Sequence, residues 1–362
     1  MRLKALSFGV LLIVSGCVST AYDPGSGGGS GGTGGGGSAG AGGGGSAGAG
    51  GGGSGGGGGG SGQVGADKSG TISADETWTD VINVTGDVTV AAGVTLTIAD
   101  GALIQVAAGK ALIIQGTLKV NGTAATGVTM VPNPMPGTWD GVQVQMGGAA
   151  TISYAQLKYP TTGLSCAAGV TTCAMDHSKI LNFSSTGLTI QAAATLDHLT
   201  VDTGGSGGIV INAGAADTVT VTDSSFHKTG GDAFIVNSGN VTVQYSHMYG
   251  DAVGGNAGVH CATHISTTGV ILADHNILED ANYGLMASNM AATSKINLNN
   301  FVGYGSGGTG GAYSPASGTT INPGVDLTNN YWNGQAPPTN TGTTKVTTTY
   351  QTTQVPGCGP RP

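Results

Sequence analysis

Charge is what this chain of 362 residues has least of. Asp, Glu, Lys and Arg together make up 8% of it, against about a quarter of a typical domain. Lys and Arg number 11, and the formal net charge is −8. Nucleic-acid binding needs a basic stripe that neutralises phosphates, and no such stripe is present, so that class of partner is excluded. Aromatic residues are 5% of the chain, which leaves few ring platforms for stacking. The one apolar run of note, Ala5–Val14, is too short to span a bilayer as a stable helix. Thr, Val, Ala, Gly and Asn dominate instead, a composition that suits short β-segments and turns and suits helices badly.

The glycines are unevenly spread. Residues 25–62 are almost entirely Gly with interspersed Ser, Ala and Thr. Such a segment has no side chains to bury and cannot offset its ordering entropy, so it is expected to act as a flexible tether spanning roughly 35 Å root-mean-square. A phosphate-binding glycine loop would need a strand before it and a helix after it, and the sequence offers neither. Ahead of the tether stands an address. Arg2 and Lys4 precede the apolar run, which ends in Val14-Ser15-Gly16-Cys17. This resembles the lipobox of bacterial lipoproteins, in which the Cys is lipidated and becomes the first residue after cleavage; an ordinary secretory signal ending near a Cys is the alternative. The resemblance implies residues 1–16 as a signal peptide, Cys17 as the lipidation site and a membrane anchored through it. Val18 follows the Cys where an Asp would retain the protein at the inner membrane, so the resemblance implies the outer membrane, with surface exposure left open.

From residue 150 a repeat emerges, apolar-x-apolar-x-polar-x-x-apolar. It reads Ala150-x-Ile152-x-Tyr154-x-x-Leu157, then Cys173-x-Met175-x-His177-x-x-Ile180 and Ala194-x-Leu196-x-His198-x-x-Val201. Val219-x-Val221-x-Asp223-x-x-Phe226, Val241-x-Val243-x-Tyr245-x-x-Met248 and Val270-x-Leu272-x-Asp274-x-x-Ile277 follow. Ile296-x-Leu298-x-Asn300 is a partial copy, and Val325-x-Leu327-x-Asn329-x-x-Trp332 closes the series. The polar position advances in steps of 21 to 29 residues. A second short strand trails most copies, as in Gly163-Leu164-x-Cys166, Gly187-Leu188-x-Ile190 and Gly258-Val259-x-Cys261. Strand alternation points every second residue inward, and a repeat of this length with two or three strands is one coil of a solenoid. The tighter stretch Val88–Val131 reads as the first coils, with Gly93, Gly101, Gly109 and Gly116 at the corners. A leucine-rich repeat is the rival, but Leu is sparse and no helical half-repeat is present.

Three local features carry a family likeness: Gly93-Val94-Thr95-Leu96-Thr97-Ile98 before Gly101, Gly137-Thr138-Trp139-Asp140-Gly141-Val142, and Asn329-Asn330-Tyr331-Trp332-Asn333-Gly334. With the repeat, they make the chain similar to the right-handed parallel β-helix proteins, the group that includes pectate-lyase-like folds. The likeness covers roughly Gly70 to Pro338. It implies an all-β fold: residues 1–16 signal, 17–66 lipidated N-terminus and linker, 67–338 parallel β-helix and 339–362 C-terminal tail. Such motifs identify a fold well and an activity poorly.

The pairs Asp176-His177, Asp197-His198 and Asp274-His275 have the look of catalytic or metal dyads. In the repeat alignment, however, His177, His198 and Asp274 share a column with Tyr154, Asp223, Tyr245 and Asn329, which reads better as a ladder of turn residues bonding nearby backbone. The densest polar neighbourhood is His227, Asp232, His247, Asp251, His260, His264, Asp274 and His275. From it, His247, His260, Asp251 and Asp232 are the candidates for acid–base chemistry and His227, His247 and His264 for metal ligation; solvated loop residues are the plainer reading. Enzymes of the resembled group imply an Arg or Lys base with acidic calcium ligands, or clustered Asp pairs. Here Lys158, Lys179 and Lys228 are the sole basic residues between 150 and 290, apart from His. No cofactor is implied.

Beyond Cys17 there are Cys166, Cys173, Cys261 and Cys358, an even number in an exported domain, which favours disulfides. The alignment sets Cys166 and Cys261 in one inward column four coils apart, roughly 19 Å, beyond disulfide reach. The best pairing is therefore Cys166 with Cys173, leaving Cys261 with Cys358 to tie down the tail, or Cys261 as a buried thiol. The functional expectation is a non-enzymatic envelope or surface lipoprotein that acts in structure, adhesion or glycan binding, with a polysaccharide or an envelope protein as partner. A polysaccharide lyase or hydrolase on the same fold is the alternative.

Overall fold

A computed structural model describes residues 65–250, 261–279, 283–304, 311–315, 324–337 and 349–362. Chain contacts divide the molecule into Met1–Gly59 and Gly60–Pro362, and every described residue belongs to the second unit. Cys17, the signal segment and the glycine tether lie outside the described residues. The described residues contain strands and no helix.

They form a parallel β-solenoid of about nine turns. One turn consists of three strands, such as Thr172–Asp176, Lys179–Phe183 and Thr186–Ile190, and the next repeats them as Ala194–Asp197, Thr200–Gly204 and Gly207–Asn212. Each pairs in parallel with its counterpart, so that Ile180 stands beside Val201 and Leu188 beside Ile209. Three faces result. The first is a ten-stranded sheet; the second and third are joined into a 21-stranded one. They join because Val81–Val90 bends round a corner, pairing Val81–Val84 with one face and Val88–Val90 with the other.

Alternation explains the core. On the first face Ile98, Val120, Ile152, Met175, Leu196 and Val221 stack inward, each at most 1% exposed. Burying each such side chain contributes about 1.5–3 kcal/mol. The intervening residues, Thr, Asn, Gln and Lys among them, point outward. Glycine is required where coils touch. A Cβ on Gly116 would lie 2.2 Å from the Ala91 carbonyl oxygen, and one on Gly141 would lie 1.7 Å from that of Thr162. In the Gly137–Val142 motif the Trp139 side chain is fully buried, and its Nε1 donates to the Lys158 carbonyl at 2.9 Å.

The corner between the first and second faces is the expected polar turn, with two corrections. Its column runs Tyr154, His177, His198, Asp223, Tyr245, His275, Leu298 and Asn329, all with φ between 43° and 60°. His275, not Asp274, occupies it, because Gln244 pairs with Asp274. Leu298, not Asn300, occupies the next place, because Ile277 pairs with Asn300. The step from Tyr245 to His275 is 30 residues and that from His275 to Leu298 is 23, and the apolar pattern alone does not fix the shift. The backbone ladder itself is built by the following residue. Ser178, Ser224, Ser246, Asn276, Asn299 and Asn330 are buried, each at most 1% exposed. Their side-chain oxygens accept from the backbone N–H of the coil before: Ala155 to Ser178 at 2.9 Å, Ser246 to Asn276 at 2.9 Å and Asn276 to Asn299 at 3.0 Å.

Cys166 and Cys173 form a disulfide across the turn that leads from the third face to the first. The expected Cys261–Cys358 bridge is not formed; both carry thiols. The register explains why. Val236 pairs with Ile265, so Ile265 continues the Cys166 column, and Cys261 stands four residues earlier at the start of the third-face strand Cys261–Ser266. Cys358 meets a different corner, where its Sγ donates to the Leu298 carbonyl at 3.4 Å. Burial pushes its thiol up to about 11, while the Asn300 backbone amide acts in the opposite direction.

The last residues run back down that corner as a strap. Thr349 accepts from Asn329 N at 2.8 Å, in the place of a further coil. Val355 N donates to Asn300 Oδ1 at 2.8 Å, and Gly359 N to the His275 carbonyl at 2.9 Å. Arg361 Nε and Nη2 then grip Asp223 at 2.8 and 2.7 Å, with the guanidinium 3.6 Å from the Tyr245 ring centroid.

Candidate functional site

The outer surface of the second face gathers the densest chemistry. Alternation turns inward Phe226, Met248 and Leu278 and outward their neighbours. Asp202 pairs with His227, and Tyr249 with Glu279, on successive coils. The His227 ring stacks on Tyr249 at 5.5 Å and 16°, and meets His247 edge-on at 4.8 Å. His247 Nε2 lies 2.8 Å from Glu279 Oε2. Two imidazoles, a phenol and two carboxylates thus share one outward strip, rising one coil at a time by about 4.8 Å.

The candidates read from sequence divide among several places. His227 and His247 do come together. Asp232 and His264 form a separate pair, with Nδ1 and Oδ2 3.2 Å apart, and Asp232 Oδ1 also accepts from Cys261 N at 2.7 Å. Asp274 and His275 pair at 2.7 Å on the first corner, away from that group. Asp251 and His260 lie outside the described residues. Sequence reasoning missed Tyr249, Glu279 and Asp202. Each is the next residue after an inward apolar one on the second face, so the alternation that located the core also marked them.

The first corner carries the other concentration of rings. Tyr154 stacks on His177 at 4.6 Å, and His177 on His198 at 4.5 Å with 4° between planes. Further on, Tyr245 stacks on His275 at 5.0 Å. Each His on this corner holds the Asp before it: His177 Nδ1 lies 3.1 Å from Asp176 and His198 Nδ1 2.8 Å from Asp197. The Asp197 hydrogen bond raises the His198 pKa above its ordinary value; partial burial opposes this, and the Asp197 and Asp223 charges and a hydrogen bond to the Pro362 backbone reinforce it. Asp223 is shifted below the usual carboxylate range, chiefly by the Arg361 side-chain hydrogen bonds, with burial opposing.

No family model, curated protein or solved structure matches this chain. The arrangement of its own residues therefore carries the functional reading.

Proposed function

We propose that the chain is a non-enzymatic cell-envelope lipoprotein, anchored through Cys17, whose β-helix binds an extended glycan along its second face. The observation that carries this is the strip of His227, His247, Tyr249, Glu279 and Asp202. Ring faces pack against the C–H faces of sugars, and carboxylates accept hydrogen bonds from hydroxyls. A strip rising one coil at a time fits a repeating polymer better than a single small molecule. The lipobox and glycine tether would give such a module reach from an outer membrane.

The test is co-sedimentation of the purified chain with immobilised cell-wall and matrix polysaccharides, with polymer length measured in parallel. Retention without shortening is expected, with Tyr249→Ala weakening it about tenfold. Release of new chain ends would overturn the non-enzymatic reading and favour a lyase or hydrolase of pectate-lyase-like type. The observation favouring that second reading is the His247–Glu279 pair at 2.8 Å beside His227, an arrangement able to move a proton. Labelled palmitate entering the wild-type chain but not Cys17→Ser would test the anchor.

A further inference from the structure

The first corner holds a donor set that the glycan reading does not use. His177, Asp197 and His198 each offer one ligand atom, and these atoms lie within 4.8 Å of one another. We propose that these three residues form a binding site for a borderline divalent transition metal, with zinc as its type.

The donors come from adjacent coils. Asp176 stands beside Asp197 in the first-face sheet, and the residues after them, His177 and His198, both have left-handed backbone, with φ of 43° and 49°. That shared conformation points both imidazoles outward and nearly parallel. His198 Nδ1 lies 2.8 Å from Asp197 Oδ2, so imidazole and carboxylate are already adjacent. Tetrahedral donors at zinc stand about 3.4 Å apart, given bonds of about 2.1 Å. Closure by about an ångström is then needed, within reach of partly exposed rings turning about χ2.

The surroundings are those a metal site requires. Asp197 is steadied by the Thr222 hydroxyl, which donates to Oδ1. Asp176 lies 3.1 Å from His177 Nδ1 and accepts from Ser153 Oγ at 2.6 Å, so a second carboxylate stands beside the donor set. Two imidazoles and a carboxylate select zinc, nickel or copper over magnesium or calcium, which prefer all-oxygen sites.

The experiment is calorimetric titration of the full chain, purified without a histidine tag, with zinc chloride. One zinc per chain is expected. His177→Asn and His198→Asn, chosen because Asn tolerates the left-handed backbone, should together weaken binding at least about 100-fold. His227→Asn with His247→Asn, on the second face, should leave it unchanged. Independently of any variant, substoichiometric copper added to the unaltered chain should broaden the ring resonances of His177 and His198 before those of His227 and His247. No zinc uptake, uptake that follows the second-face pair, or copper broadening that begins there would each overturn the proposal.

Discussion

At the scale of single residues, the covalent and ionic ties make the sharpest predictions. The Cys166–Cys173 bridge closes a loop across one turn. A short loop constrains the unfolded chain modestly, so replacing both with Ala should cost about 2 kcal/mol, read as a lower urea midpoint. Asp223 and His198 predict opposite pH behaviour. The Asp223 carboxylate is shifted below its ordinary value by Arg361. Its contribution is therefore present above the unfolded value of about 4 and is lost as pH falls through the lower folded value. His198 is shifted upward by Asp197. Its contribution is full below about 6.5 and is lost as pH rises through the higher folded value. Protection factors of the Gly359 and Arg361 amides, with exchange corrected for its intrinsic pH dependence, should thus be highest in the mildly acidic window between the two. Protection should fall below about pH 4 and again above about pH 6.5, and a flat protection profile would contradict both assignments.

At the scale of elements, the buried Ser and Asn ladder decides how much each coil depends on the next. Asn299 accepts from Asn276 N at 3.0 Å and Asn276 Nδ2 at 2.9 Å, and its Nδ2 donates to the Ala273 carbonyl at 3.0 Å. Asn299→Ala would strand several buried groups and should cost about 3 kcal/mol. Ser178 serves one external amide, that of Ala155, so Ser178→Ala should cost about 1 kcal/mol. Comparable losses in chemical denaturation would mean that the ladder is not what grades stability. The same elements show what the sequence made legible. Strand alternation revealed the solenoid, its inward columns and the turn column from Tyr154 to Tyr245. It misplaced the column at Asp274 and Asn300, and it aligned Cys261 with Cys166, because Gly258-Val259-His260-Cys261 imitates the Gly-Leu-x-Cys pattern after a longer loop. Ladder residues such as Asn276 and Asn299 escaped notice, since a period-two pattern marks faces and does not tell which polar side chain turns in. The outward strip was half visible. Its histidines stood out by type, whereas Tyr249 and Glu279 become neighbours only when the coils are stacked.

At the scale of the whole molecule, the strap changes how the solenoid should unfold. In a stack of coils each contacts its neighbours alone, so stability accumulates as a sum of local terms and the ends can fray. Residues 349–362 break that rule. They reach from Asn329, through Asn300 and His275, to Asp223, joining positions up to 138 residues apart in sequence. Coils that would open one by one from the C-terminal end are thereby made to open together. Termination after Thr348 should leave the early coils unchanged, because no strap contact reaches the inward columns at Ile98 or Val120. The later coils should lose protection. Hydrogen exchange along the first face should then quicken progressively from Thr218–Thr222 towards Lys295–Ile296, while Thr95–Ala99 keeps its wild-type rate. A single denaturation transition should broaden or split in two. Uniform quickening across all coils, or none, would show that the strap only decorates a solenoid already cooperative from end to end. Localised quickening would make the tail the element that lets the long, neighbour-coupled stack behave as one unit.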